Sequence, residues 1–390
     1  MLKMAIIGQA ARGDAYLPRP QITEHIWDSL SKGANVLLAA PRRVGKSSLL
    51  FDMMDNPQPA NMVIYYTSES VNSENEYYKK LFHHVVDRLE RFKKSTTKAM
   101  TLAKDLISRI DEISVQGSFK IGESKINYLD QFQTLLDALD LTGEKLLVLN
   151  DELSSTVENI IKDESERSAI HFLQTVRELR QLPKLYNKVQ FVYAGSIGLE
   201  NIVSKLNCMN EINDLVSIAV PPFSKAEAVE LVNRVLKGSS IAISSGGLDG
   251  LLSEIEWLIP YYIQILLDES YTIIQSLSQT VIDEKVVNEA VRRALKHRLY
   301  FEHWFLRLRK AYQGDEFSFV KAVLNLASEN KKVTSSEVVN IATLHKLEDR
   351  YHHLLNALKY DGYLNNEDDP KIYRFNSPLL REWWRRNVAN

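Results

Sequence analysis

Ala39-Ala40-Pro41-Arg42-Arg43-Val44-Gly45-Lys46-Ser47-Ser48 follows the apolar run Asn35-Val36-Leu37-Leu38 and leads into Leu49-Leu50-Phe51-Asp52-Met53-Met54. A buried strand, a tight loop and a helix start meet here. This is the context a phosphate-binding loop needs, because successive backbone N–H groups and a helix N-terminus face an anion. Lys46 would add its charge toward the β- and γ-phosphates, and the Ser47 hydroxyl would ligate Mg²⁺. The expected phosphate cradle is Ala40, Pro41, Arg42, Arg43, Val44, Gly45, Lys46, Ser47 and Ser48. Ala40 stands where the pattern G-x-x-x-x-G-K-[ST] has its first glycine, which alanine tolerates when φ stays negative.

Outward from the loop, Met62 to Thr67 reads as a second strand. A third, Leu146-Leu147-Val148-Leu149-Asn150, ends in Asp151-Glu152. A buried parallel strand delivers Asp151 at its C-terminal edge to orient the Mg²⁺ shell, and Glu152 reaches the water that attacks the γ-phosphate. Asn150 occupies a position where an apolar residue is more usual. Val189 to Ser196 is a fourth strand, with Ser196 either a sensor of the γ-phosphate or the N-cap of the helix near Leu199. Val216 to Pro222 is a fifth, and Ser224-Lys225-Ala226-Glu227 is a capping box. Five strands alternating with helices imply a parallel three-layer α/β domain.

The chain of 390 residues is 45% hydrophobic and is long enough for two to three domains. Its 48 Lys+Arg nearly balance 50 Asp+Glu, so any nucleic-acid site must be local. One cysteine, Cys208, forms no internal disulfide and suits a reducing cytosol. No apolar run is long enough to span a bilayer and the start lacks a leader pattern, so a cytoplasmic protein without a membrane partner is expected.

The N-terminal segment carries a helix with Thr23 as expected N-cap, Ile22, Ile26, Trp27 and Leu30 at helical spacing, and Gly33 at its end. The Leu17 to Ile22 turn is either a lead-in or a cover for the nucleotide base. Residues 75–140 read as a helical insertion, with Tyr77, Tyr78, Leu81, Phe82, Val85, Val86 and Leu89 in one stripe and Lys94 to Lys98 as a solvated stretch. Residues 223–298 read as helical throughout, with Pro260 at a helix start.

From residue 299 the pattern changes to three short helices (Phe317 to Leu326, Ser335 to Ala342, Asp349 to Tyr360) and a hairpin from Gly362 to Phe375 with an acidic turn. Three helices and a wing make a winged helix. Residues 297–390 hold 15 Lys+Arg against 12 Asp+Glu. The third helix offers Lys346, Arg350, His352, His353 and Lys359 to phosphates, whereas the acidic wing tip opposes them. Trp383 and Trp384 read as core anchors.

Together these elements resemble the archaeal-type ATPases of archaea and bacteria, a branch of the P-loop ATPases near the AAA+ and STAND groups. The resemblance is carried by Gly13-Asp14-Ala15-Tyr16-Leu17-Pro18-Arg19, by Leu37 to Leu49, by Asp151-Glu152-Leu153, by Ala194 to Leu199 and by Arg374-Phe375-Asn376-Ser377-Pro378-Leu379-Leu380-Arg381-Glu382-Trp383-Trp384. It implies ATP and Mg²⁺ as cofactors, with Arg19 and Pro260 added to the nucleotide contacts, Ser47 and Asp151 on the metal, and Glu152 and Ser196 catalytic. The fold implied is α/β: a five-stranded AAA+-like core over 1–222, a helical lid over 223–298 and a winged-helix domain over 299–390. Ring-forming AAA+ machines usually place an arginine finger between the positions of Leu199 and Pro222, where this chain has no arginine. The lid likewise has Pro260 in place of a sensor arginine, as in the STAND pattern. The expectation is a slow, Mg²⁺-dependent ATP hydrolase that switches a winged helix toward a protein partner. The alternatives are a DNA-binding ATPase, whose winged helix contacts duplex, and a non-hydrolysing nucleotide scaffold in a defence or signalling assembly. Self-association into a homo-oligomer is left open.

Overall fold

The computed structural model describes residues 7–91, 101, 126–139, 141, 143–195 and 198–389. Ser196, the Lys94 to Lys98 stretch and the middle of the 75–140 insertion lie outside the described residues. The chain packs as two compact units, one of Arg19–Ala39 with Leu49–Ala219 and the other of Met1–Pro18, Ala40–Ser48 and Val220–Asn390.

The first unit is built on a parallel sheet of β1 (Asn35–Ala39), β2 (Asn61–Thr67), β3 (Lys145–Asp151), β4 (Val189–Ala194) and β5 (Leu215–Ala219), in the order β2-β3-β4-β1-β5. β1 to β4 are near-continuous buried runs covered by helices, whereas the edge strand β5 is mostly exposed. The N-terminal helix α1 (Pro20–Ser31) starts earlier than expected: Arg19 is its N-cap and Pro20 its first residue, while Thr23 lies inside the first turn and donates from Oγ1 to the Arg19 carbonyl. Proline is favoured at that first position since its missing N–H has no helical partner there anyway. Gly33 closes the helix with φ +85°.

Helix α2 (Lys46–Asp55) follows the loop after β1. The long helix α3 (Glu74–Arg91) buries Tyr77, Tyr78, Leu81, Phe82, Val85, Val86 and Leu89 in a core shared with α4 (Tyr128–Ala138). That stripe at helical spacing is what binds the described ends of the insertion to the sheet. After β3 comes a helix the sequence reading passes over, α5 (Leu153–Asp163). Its first turn, Ser154-Ser155-Thr156, is rich in residues of weak helix propensity. It is held by tertiary contacts, with Thr156 Oγ1 donating to the Ser68 carbonyl at 2.8 Å. Helices α6 (Glu166–Gln181) and α7 (Leu199–Lys205) flank β4.

The second unit holds α8 (Lys225–Leu236), α9 (Ser245–Ile255), α10 (Pro260–Leu277), α11 (Glu284–Lys296) and α12 (Arg298–Ala311). The expected Ser224/Glu227 capping box is present, and Pro260 is the first residue of α10. Residues 223–298 are nevertheless not helical throughout, because β6 (Ala242–Ile243) and β7 (Val281–Ile282) pair in parallel. Each strand is too short to leave a periodic signal. Gly247 permits the pairing: a Cβ there would lie 2.3 Å from the Ile282 carbonyl oxygen.

The C-terminal part comprises α13 (Gly314–Glu329), α14 (Ser335–Leu344), α15 (Tyr351–Tyr360), a sheet of β8 (Val333–Thr334), β9 (Leu364–Asn365) and β10 (Ile372–Phe375) in the antiparallel order β8-β10-β9, and α16 (Pro378–Asn387). Lys346 and Arg350 precede α15 rather than lying on it. Gly362 ends that helix with φ +86°, and a Cβ on it would sit 2.2 Å from the Trp257 ring. Trp383 and Trp384 are buried, and Trp384 Nε1 donates to Asn325 Oδ1 at 2.9 Å.

Candidate functional site

The loop belongs to the second unit. It takes its left-handed steps at Arg43 (φ 66°) and Gly45 (φ 101°), whereas Ala40 keeps negative φ and is buried. The departure at Ala40 therefore costs no backbone strain, and the strained non-glycine position is Arg43. Gly45 is required by its φ rather than by space, as a Cβ would meet nothing within 4 Å. Lys46, only 6% exposed, donates from Nζ to the carbonyls of Ala40 and Pro41, both at 2.7 Å. The ammonium is thus folded into its own loop. Val44 and Ser48 are buried, and Pro41, Arg42, Arg43 and Ser47 are half-buried.

Arg43 leans over the Tyr261 ring, its guanidinium carbon 4.5 Å from the centroid, and donates from Nη1 to the Gly8 carbonyl at 3.2 Å. This brings the residue after Pro260 onto the loop. Tyr261 meets His303 edge-on at 5.7 Å, and neither ring nitrogen of His303 has a hydrogen-bond partner. Burial, then the charges of Arg43, Arg42 and Arg307, push the His303 pKa down to about 3. The folded state therefore keeps this imidazole neutral while the unfolded chain protonates it below the usual histidine value. Stability is untouched above pH 6.5 and falls as pH drops toward 3, by about 1.4 kcal/mol per pH unit from this group. In urea titrations at pH 7, 5 and 4, His303→Phe is expected to flatten part of that fall; an unchanged pH profile would contradict the assignment.

Asp361, beside the end of α15, is buried. Burial raises its pKa, opposed first by Arg307 and then by Lys46 and Arg42. Arg307 Nη2 donates to Asp361 Oδ1 at 2.9 Å, and both side chains are buried. The loop cations therefore belong to one electrostatic cluster with this pair.

The acidic residues belong to the first unit. Asp151, 2% exposed, ends β3 and accepts at Oδ2 from the Tyr65 hydroxyl at 3.0 Å. Its main chain is fixed as well, its carbonyl accepting from Ser68 N–H at 3.0 Å. Burial, then the neighbouring Asp151 charge, push the Tyr65 phenol up, so it remains a donor. Glu152 is the N-cap of α5 with φ 65°, a left-handed conformation that non-glycine residues rarely adopt. Ser155 Oγ donates to Glu152 Oε2 at 3.0 Å.

Asn150 explains itself through its partners. Buried completely, it donates from Nδ2 to Ser68 Oγ at 2.9 Å and accepts at Oδ1 from the Tyr77 hydroxyl at 3.0 Å. It fastens β3 to the end of β2 and to α3, so a polar residue in an apolar strand is satisfied. In the sheet β4 lies between β1 and β3, so the strand leading into the loop and the strand ending in Asp151 share one carboxyl edge with a strand between them. Arg19, 7% exposed, caps α1 in this unit, its carbonyl accepting from Ile22 N–H. Sequence reasoning missed Tyr65, Ser155, Tyr261 and His303; only the polar interruption at Asn150 signalled any of this network.

No family model matches the chain, and no curated protein sequence is similar to it. Solved structures are. The Walker-type ATPase PABY2304 of Pyrococcus abyssi superposes with a TM-score of 0.64 at 16% identity, covering 99% of this chain and 100% of that one. The ORC2 protein of Aeropyrum pernix superposes with a TM-score of 0.54 at 13% identity in its ADPNP–ADP complexes, over 92% of this chain and 89% of that one. In its ADP form the values are 0.51, 14%, 97% and 96%. The chain shares the fold of these structures, an α/β core on a five-stranded parallel sheet. Among the described residues no helix is long and apolar enough to cross a membrane.

Proposed function

We propose that the chain binds ATP with Mg²⁺ through Ala40–Ser48 and works as a slow nucleotide-dependent switch. The observation that carries this reading is the loop itself: a buried lysine at the first position of α2, reached through left-handed steps at Arg43 and Gly45. Such a loop turns its backbone donors and one ammonium toward an anion. The Asp151 carboxylate and the Ser47 hydroxyl are hard oxygen donors of the kind Mg²⁺ takes alongside nucleotide phosphates. When bound, Mg²⁺ would neutralise developing phosphate charge. Glu152 is the assigned general base for water, and Ser196 the assigned contact to the γ-phosphate. Arg19 and Pro260 are assigned to the nucleotide's periphery.

The domain reading follows: a core over 1–222, a lid over 223–298 and a winged helix over 299–390, formed by α13, α14, α15 and the β8-β10-β9 sheet. Hydrolysis is slow in this reading because residues 199–222 contain no arginine; such a finger contributes about 10³–10⁵ in turnover where it operates. A protein partner is favoured over duplex DNA by the wing's own charges. Arg374 on β10 is paired with Asp368 at 2.8 Å and with Glu256 at 3.2 Å, so the wing's arginine is engaged within the chain.

The test compares nucleotide binding and steady-state hydrolysis of the wild type and Glu152→Gln, with and without duplex DNA. Glu152→Gln should bind ATP within about threefold of wild type and lose about 10²–10⁴ in turnover. Equal turnover in the variant would remove Glu152 as the base. Turnover that rises sharply with DNA, in a salt-dependent way, would replace the protein-directed switch by a DNA-linked ATPase.

A further inference from the structure

We infer that Tyr65 is a positioning residue for the metal-binding carboxylate, its hydroxyl holding the orientation of the Asp151 side chain. The inference rests on the reading of Asp151 as the Mg²⁺ partner. In the β2–β3 pairing Tyr65 stands opposite Leu149 and Thr67 opposite Asp151. Tyr65 and Asp151 are therefore diagonal neighbours on one face of the sheet, a separation that a tyrosine spans and a shorter side chain does not. The phenol hydroxyl lies 3.0 Å from Asp151 Oδ2. The ring is itself braced, its centroid 4.4 Å from that of Phe51 with the planes inclined at 42°. Phe51 is on α2, whose first turn carries Lys46 and Ser47.

One ring thus lies against Phe51 and holds the carboxylate at the end of β3. The bond to Oδ2 restrains rotation of the Asp151 carboxylate. Mg²⁺ demands near-octahedral geometry and is sensitive to such orientation. Loss of an outer partner of a metal ligand typically costs about 10–100-fold in metal affinity or activity.

Tyr65→Phe removes the hydroxyl and keeps the ring against Phe51. In the full-length protein with ADP, Mn²⁺ binding followed by electron paramagnetic resonance should weaken about 10-fold in Tyr65→Phe. ADP affinity in EDTA should match wild type, and the unfolding midpoint should fall only by what the loss of one part-buried hydrogen bond costs. In an Asp151→Asn background, Tyr65→Phe should add nothing to the loss of Mn²⁺ binding. A Mn²⁺ dissociation constant within twofold of wild type, or a tighter one, would overturn the inference, as would additive losses in the double variant. A wild type that binds ADP equally well in Mg²⁺ and in EDTA overturns the metal assignment and this inference with it. A wild type that binds no ADP overturns the proposed function itself.

Discussion

Lys46→Ala is expected to weaken Mg²⁺–ATP binding by about 100-fold or more and to remove measurable hydrolysis. A charge-assisted hydrogen bond contributes about 1.5–3 kcal/mol, and each 1.4 kcal/mol is a factor of ten. The ammonium also has a second role visible in the structure, since it bonds the Ala40 and Pro41 carbonyls and so supports the loop's own shape. Removing it would take away the proposed phosphate contact together with this brace. The clean measurement is nucleotide-induced stabilisation: ATP at 100 times the wild-type dissociation constant should stabilise the wild type by about 2.7 kcal/mol and Lys46→Ala by no more than about 0.4 kcal/mol. A variant that retained tight ATP binding would sink the site assignment.

Arg307→Leu is expected to be among the most destabilising substitutions in the second unit, lowering unfolding free energy by about 3–5 kcal/mol. The mutation leaves Asp361, which is buried, without the guanidinium 2.9 Å away. The cost is that of an uncompensated carboxylate, so Asp361 protonates instead and the loss should shrink as the pH is lowered. Replacing both partners, Arg307→Leu with Asp361→Leu, should recover much of the stability, because a well-packed apolar pair avoids the desolvation of two charges. Urea midpoints at pH 7 and pH 5 check each part. A double variant no more stable than Arg307→Leu would show that the pair is needed for shape rather than charge.

The loop and its strand were legible because residue type dictates backbone there. Only glycine readily adopts φ near +100°, and a buried apolar run before Gly45-Lys46-Ser47 leaves one local solution. The Asp151-Glu152 pair was legible for a similar reason, ending a run that had to be a strand. What the sequence did not disclose is long-range pairing. Tyr65 is an ordinary strand tyrosine until the β2–β3 register sets it diagonally across from Asp151. Tyr261 and His303 reach Arg43 only through tertiary packing. Helix α5 escaped because Ser154, Ser155 and Thr156 suit caps and turns better than helix interiors, and their burial decides the outcome. The pair β6 and β7, two residues each, lies below any periodic signal, and the early start of α1 followed from Pro20 outranking Thr23 as a boundary mark.

The order β2-β3-β4-β1-β5 also governs how the chain comes to be folded. Val36, in the interior strand β1, finds its partners at Val192 and Val216, so the segment carrying the loop leaves the ribosome long before anything exists to pair with it. Pairings of such sequence separation are slow to form, and the unpaired apolar strand is exposed to aggregation in the interval. Truncations ending before β4 should therefore yield insoluble chains even though they retain the whole Ala40–Ser48 loop.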